Sequence, residues 1–209
     1  MKKTLVLLMA LVLTLSVGYV TLASTIGIGA TEGFQAEIGT YVAPSDYDDN
    51  VFITGCYGLN EKTQFSLEYA TDSKDITLGA RYVFAENMAI TLNFYMPDAE
   101  DADDEITAGL RYKANIDDAL ALVGVLEYTN TDPDATIVAK AQGEYGFTDQ
   151  VVGTLQYKYK KIDEDDTYNI VVGIETYPTE KLCVYLDYDM PDDEENDEDN
   201  AYLGVCYAF

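Results

Sequence analysis

From residue 33 to the end, the chain alternates apolar and polar residues with a period of two. In the last segment Ala201, Leu203, Val205, Tyr207 and Phe209 share one face, and Tyr202, Gly204, Cys206 and Ala208 share the other. Likewise Val151, Leu155, Tyr157 and Tyr159 oppose Thr154, Gln156, Lys158 and Lys160, while Met88, Ile90, Leu92, Phe94 and Met96 oppose Thr91, Asn93 and Tyr95. Successive side chains of a strand point to opposite faces, so each stretch reads as a strand with one apolar and one polar side. Twelve are predicted, near 33–42, 50–59, 63–71, 76–84, 88–96, 105–114, 119–129, 135–145, 150–160, 167–177, 181–190 and 200–209. No segment after residue 23 has the length and 3.6-residue period of a helix.

The connections alternate between two kinds. Short turns fall at 60–62, 85–87, 115–118, 146–149 and 178–180, and longer loops at 43–49, 72–75, 97–104, 130–134, 161–166 and 191–199. One residue per turn (61, 86, 117, 148 and 179) gives spacings of 25, 31, 31 and 31, which predicts a repeated hairpin unit. Met96-Pro97-Asp98 recurs as Met190-Pro191-Asp192, 94 residues on or about three such units. No linker interrupts the series, so residues 24–209 form one domain.

The first residues read as an address. Met1-Lys2-Lys3 supplies a positive start, Thr4 to Leu22 is almost wholly apolar, and Thr21-Leu22-Ala23 offers small residues before a cut. Residues 1–23 are the expected secretory signal peptide, the rival being an uncleaved membrane anchor.

Composition then removes whole classes of activity. The chain carries 38 Asp+Glu against 12 Lys+Arg, a net charge of −26, so nucleic acid is excluded as a partner. It has no histidine, which removes Ser-His-Asp and Cys-His catalysis and histidine metal sites; no enzyme activity and no cofactor are expected. The acids crowd the longer loops, notably 98–104 and 192–199, and the turns. Those within strands, Glu37, Glu68, Glu105, Glu127, Glu144, Glu175, Asp187 and Asp189, all fall on polar faces. So do Arg81, Arg111, Lys113, Lys140, Lys158 and Lys160.

A soluble sandwich buries its apolar faces, and a transmembrane barrel turns them outward around a polar lumen. Alternation alone does not choose, but the aromatics do. With 18 Tyr and 7 Phe, the apolar faces place rings near strand ends, as at Tyr69, Tyr82, Phe94, Tyr112, Tyr128, Tyr145, Tyr159 and Tyr188. Two interfacial belts on strands of spanning length are the expectation. The predicted fold class is therefore all-β: a closed antiparallel up-and-down transmembrane β-barrel of about 12 strands.

The signal segment, the even strand count and the closing strand 201–209, ending on Phe209, resemble the bacterial outer-membrane β-barrel, or porin-like, class. The resemblance implies outer-membrane lipid as surroundings, periplasmic termini and extracellular acidic loops. It also implies that Leu203, Val205, Tyr207 and Phe209 are the assembly signal read by the barrel-assembly machinery. The chain departs from the class in having no Trp and unusually short loops.

A twelve-stranded barrel lies between plugged eight-stranded and channel-bearing sixteen-stranded ones, so its lumen residues decide. The expected function is a narrow passive pore for small cationic, neutral or dipolar solutes; the alternative is a non-conducting structural or surface-interaction barrel. The pore-lining candidates are Arg81, Arg111, Lys113, Lys140, Lys158, Lys160, Glu37, Glu68, Glu127, Glu144, Glu175 and Asp187, arranged as a basic wall facing an acidic one. A salt-bridged plug is the competing arrangement. The acidic loops offer oxygens to Ca²⁺ or Mg²⁺, but none has the EF-hand pattern with its central Gly, so at most weak binding and no metal site is expected. Homo-oligomerisation is left open. Cys56, Cys183 and Cys206 share the polar face, and antiparallel pairing sets Cys183 nearly opposite Cys206, close enough for a disulfide, with free thiols the default.

Overall fold

Twelve strands follow one another without a helix among the described residues, which in this computed structural model are 33–41, 51–99, 103–131, 135–163, 165–191 and 200–209. Residues 1–23, the expected signal peptide, and the acidic run 192–199 lie outside them. The strands are Gly33–Tyr41 (β1), Val51–Asn60 (β2), Thr63–Ala70 (β3), Ile76–Ala85 (β4), Met88–Met96 (β5) and Glu105–Asn115 (β6). Leu120–Asn130 (β7), Thr136–Thr148 (β8), Val151–Ile162 (β9), Asp165–Thr179 (β10), Leu182–Pro191 (β11) and Asn200–Ala208 (β12) complete the series. Each pairs antiparallel with its sequence neighbours, and β1 pairs with β12 through the register Gln35↔Ala208 to Tyr41↔Tyr202, so the barrel is closed. Closure leaves no unpaired edge, which is the condition for placing strands in hydrocarbon.

The alternation resolves as an inverted protein. Phe65, Leu67, Tyr82, Ile90, Leu92, Leu122, Leu126 and Leu155 are exposed on the outer surface, Leu92 at 54% and Leu126 at 53%. Gln64, Thr91, Gln142, Glu144 and Glu175 are buried inside, Glu175 at 1%. An apolar band this continuous exceeds any patch a water-soluble monomer exposes. At the rim, Phe209 packs on Phe34 with ring centroids 5.3 Å apart and on Tyr207 at 5.0 Å, and the Phe209 amide donates to the Phe34 carbonyl at 2.9 Å.

Five short turns lie at one end with both strand termini, and the longer connections lie at the other. Four of the short turns are latched by side chains, one of them by Asn60 Oδ1, which accepts from the Lys62 and Thr63 amides. Asp117 Oδ1 accepts from the Ala119 and Leu120 amides, Thr148 Oγ1 from the Gln150 amide and Thr179 Oγ1 from the Lys181 amide. The last three acceptors stand 31 residues apart, so the repeat seen in the sequence is a repeat of turn chemistry. The four register shifts, at Gly58/Asn60, Val83/Ala85, Gly146/Thr148 and Thr176/Thr179, all adjoin short turns. Extra residues at a barrel rim add local twist where the wall must bend into the turn.

One expectation is corrected. The loop predicted at 161–166 is mostly strand: Lys161 pairs with Asp166 and Ile162 with Asp165, leaving only residues 163 and 164 between β9 and β10. Opposite charges directly across antiparallel strands are favourable partners, so this polarity does not mark a loop. The turn predicted at 146–149 likewise begins later, because β8 runs on to Thr148 through its bulge.

At the long-loop end the β3–β4 connection is tied to the start of the β5–β6 connection. Asp75 accepts from the Tyr95 hydroxyl at 2.7 Å and from the Asp98 amide at 3.0 Å, and Lys74, at a left-handed φ of 61°, lies 3.6 Å from Asp98. Partial burial acts to raise the Asp75 carboxyl, but hydrogen bonds from Ser73, Tyr95 and the Asp98 amide outweigh it and hold the group below its ordinary value. The tie is thus complete above the ordinary Asp value of about 4 and is lost as the pH falls through Asp75's own lower one. The Asp98 amide resonance of the refolded barrel should move as the pH drops below about 4. In Asp75→Ala that movement should vanish; an unchanged titration would remove Asp75 as its cause.

Candidate functional site

The interior is divided by charge. All six interior cations stand on the contiguous strands β4–β9: Arg81, Arg111, Lys113, Lys140, Lys158 and Lys160. Strands β10–β12 and β1–β3 carry no Lys or Arg, and their inward positions include Glu37, Glu68, Glu175, Asp187 and Asp189. The charged pore-lining candidates thus divide by strand into a basic half and an acidic half, with Glu127 and Glu144 standing among the cations.

Glu127 and Glu144 lie inside the basic half and are paired there. In register, Arg111 on β6, Val125 on β7 and Lys140 on β8 form a row. Glu127, two residues along β7, bridges the row's ends: Lys140 Nζ is 2.8 Å from its Oε2 and Arg111 Nη2 is 3.7 Å from its Oε1. Lys113 reaches across β7 to Glu144 at 2.7 Å, and Gln142 Nε2 donates to the same carboxylate at 3.2 Å. These side chains lie flat along the wall. On the acidic half the carboxylates meet hydroxyls instead: Thr54 donates to Glu68 at 3.1 Å, Tyr185 to Glu37 and Tyr177 to Glu175.

Along the axis the bore falls into three levels. Nearest the long loops is a cavity of about 280 Å³ lined by Lys158, Lys160, Asp165, Thr167, Asn169, Asp189 and Asn200, among others. One inward residue deeper on β9–β12 lies a second of about 260 Å³, lined by Glu37, Gln142, Thr154, Gln156, Val171, Tyr185, Asp187 and Tyr202. Its lining includes β1 and β8, on opposite sides of the barrel, so it spans the bore. Below it, toward the short turns, side chains fill the interior. Tyr177, Cys183 and Tyr185 form one cluster, with Val152, Tyr202 and Cys206 packed against it, while Val83, Ala89, Val123, Val125 and Gln64 are all at 9% exposure or less.

The inward glycines Gly39, Gly173 and Gly204 are legible in the sequence as small lumen residues that leave space, but the tyrosines that fill that space were missed by charge-based reading. Tyr185 and Tyr202 stack at 5.7 Å, and Tyr202 lies over Gly39, Tyr185 over Gly204 and Asp187 over Gly173, each where a Cβ would collide with the neighbour. The available signal was the inward run of glycines facing large inward residues on the next strand. Cys183 and Cys206 are direct register partners, and all three cysteines are free thiols. Among the described residues no group of His, Cys, Asp and Glu is arranged to hold a metal.

No protein-family model matches the chain, and no curated protein sequence does. Solved structures do. A KdgM porin superposes with a TM-score of 0.62 at 14% identity, covering 84% of this chain and 98% of its own. A NanC porin gives 0.61 at 9% identity over 85% and 100%. An outer membrane channel from Pseudomonas putida F1 gives 0.59 at 14% identity over 90% and 100%. The likeness is one of fold. This chain is built as the porin barrels are, with a closed twelve-stranded antiparallel wall.

Proposed function

We propose that the protein is a narrow passive pore of the bacterial outer membrane, passing small cationic, neutral or dipolar solutes and catalysing no reaction. The observation that carries this reading is the pair of polar cavities stacked inside an apolar-jacketed barrel. Short turns face the periplasm in such barrels, which sets both strand termini there and the acidic loops outside. The proposed lining is the interior set from Arg81 to Lys160 on the basic half, with Glu127 and Glu144 pinning it, facing Glu37, Glu68, Glu175 and Asp187. Opposed charge across a low-dielectric bore orients dipolar solutes.

A KdgM porin has been solved in complex with oligogalacturonate, an anionic ligand. Here the net charge of −26 opposes anion entry, and three of the six interior cations already hold carboxylates. Small cations and uncharged solutes are the better fit.

The test is single-channel recording of refolded protein in planar bilayers under a KCl gradient. Discrete steps with a cation-selective reversal potential are expected, and Lys158→Glu should increase that selectivity. The second reading, a non-conducting surface-interaction barrel, has one observation in its favour, the filled short-turn end of the bore. Silent bilayers containing folded protein would overturn the pore in its favour.

A further inference from the structure

The inner cavity holds a carboxylate that no described residue answers. Asp187 has no hydrogen-bond or ion-pair partner among the described residues, and the charges acting on it are those of Glu175, Asp189 and Glu37, all acidic. A half-buried carboxylate without a counter-charge is unfavourable, because part of its hydration is lost with nothing in its place. No described cation acts on it: Lys140 on β8 is bound to Glu127 at 2.8 Å, and Lys158 stands one inward residue nearer the long loops, in the outer cavity.

The walls of the cavity are built to keep it open. A Cβ at Gly39 would strike the Tyr202 hydroxyl, one at Gly173 the Asp187 carboxylate and one at Gly204 the Tyr185 ring. Glycine weakens a strand, so three at these points exchange wall stability for letting three large side chains lie flat. What they leave is about 260 Å³, below the roughly 300 Å³ at which drug-sized pockets begin. Two stacked tyrosine rings add faces that attract a cation within about 6 Å of their centroids.

We propose that this cavity is a binding site for a compact organic cation carrying N–H groups, an alkylammonium or guanidinium ion. Its charge sits with Asp187 and Glu37, its N–H groups donate to the Gln142 and Gln156 side-chain oxygens, and its carbon skeleton lies against Tyr185 and Tyr202. The pore reading supplies the ligand's route of entry, and the site itself stands on the cavity.

Isothermal titration calorimetry of the detergent-refolded protein with 1,4-diaminobutane and with methylguanidinium tests it, with acetate as the anionic control. Saturable binding of a cation and none of acetate is expected. Asp187→Asn and Glu37→Gln should each weaken binding about tenfold or more, as loss of a charged hydrogen-bond partner does. Glu61→Gln, in the exposed β2–β3 turn, should change it less than about twofold, since it lies away from the cavity and its charges. Folding of each variant is checked by the gel mobility of the unheated barrel. Gly39→Ala, which pushes Tyr202 into the cavity, gives an independent route to the same loss. No saturable binding to the wild type, or equal binding in both carboxylate variants, overturns the site. In planar bilayers the two readings fail separately: binding without current steps removes the pore, and steps that the diamine does not block, with no heat of binding, remove the site.

Discussion

Replacing Leu126 by arginine is expected to destabilise the refolded barrel by about 2–4 kcal/mol in lipid vesicles. Leu126 sits near the middle of β7 and is 53% exposed on the outer surface. Were that surface wetted, the same exposure would predict a change within about 0.5 kcal/mol, the ordinary range for surface substitutions. The exposed turn residue Glu61 supplies the comparison, since Glu61→Arg lies outside the apolar band and should stay within that range. Urea unfolding midpoints of the two variants against wild type measure the contrast. A cost for Leu126→Arg no larger than for Glu61→Arg would mean that the band does not face hydrocarbon.

The second large effect is expected at Glu127. Glu127→Gln strips the counter-charge from Lys140 and Arg111 together, and leaving enclosed charges unpaired costs about 3–5 kcal/mol. The side chains of Glu127 and Arg111 are only 12% and 14% exposed, so water compensates little. Removing the excess charge as well, in Glu127→Gln with Lys140→Gln, should recover much of the stability. In bilayers the single variant should also move the reversal potential toward anions, because two interior cations lose their neutraliser. A loss under about 1 kcal/mol, the level of solvent-exposed pairs, would show that the network is already hydrated.

The barrel was legible because period-two patterning acts locally and repeats. β1, β3, β5 and β12 begin where the alternation begins, and the Cys183–Cys206 register followed from where the last hairpin must turn. The β9–β10 hairpin was misjudged because Lys161, Asp165 and Asp166 look like solvated loop residues until their cross-strand partners are known. The division of the interior charges into two halves could be read from which strands carry them. Their pairing could not. Lys113 meets Glu144 over an intervening strand, and Glu127 bridges two neighbours, contacts set by strand stagger and side-chain reach rather than by sequence spacing. The cavities were hidden for a related reason: an inward glycine says that space exists, but only the facing side chain says whether it is used.

The latches at Asp117, Thr148 and Thr179 make circumference a modular property. Each hairpin closes on its own turn and bonds only to the strands beside it, so a copied 31-residue unit carries everything needed to join the wall. Inserting one would give a fourteen-stranded cylinder of greater diameter with every existing turn unaltered, so duplication offers a direct way to change the size of molecule admitted.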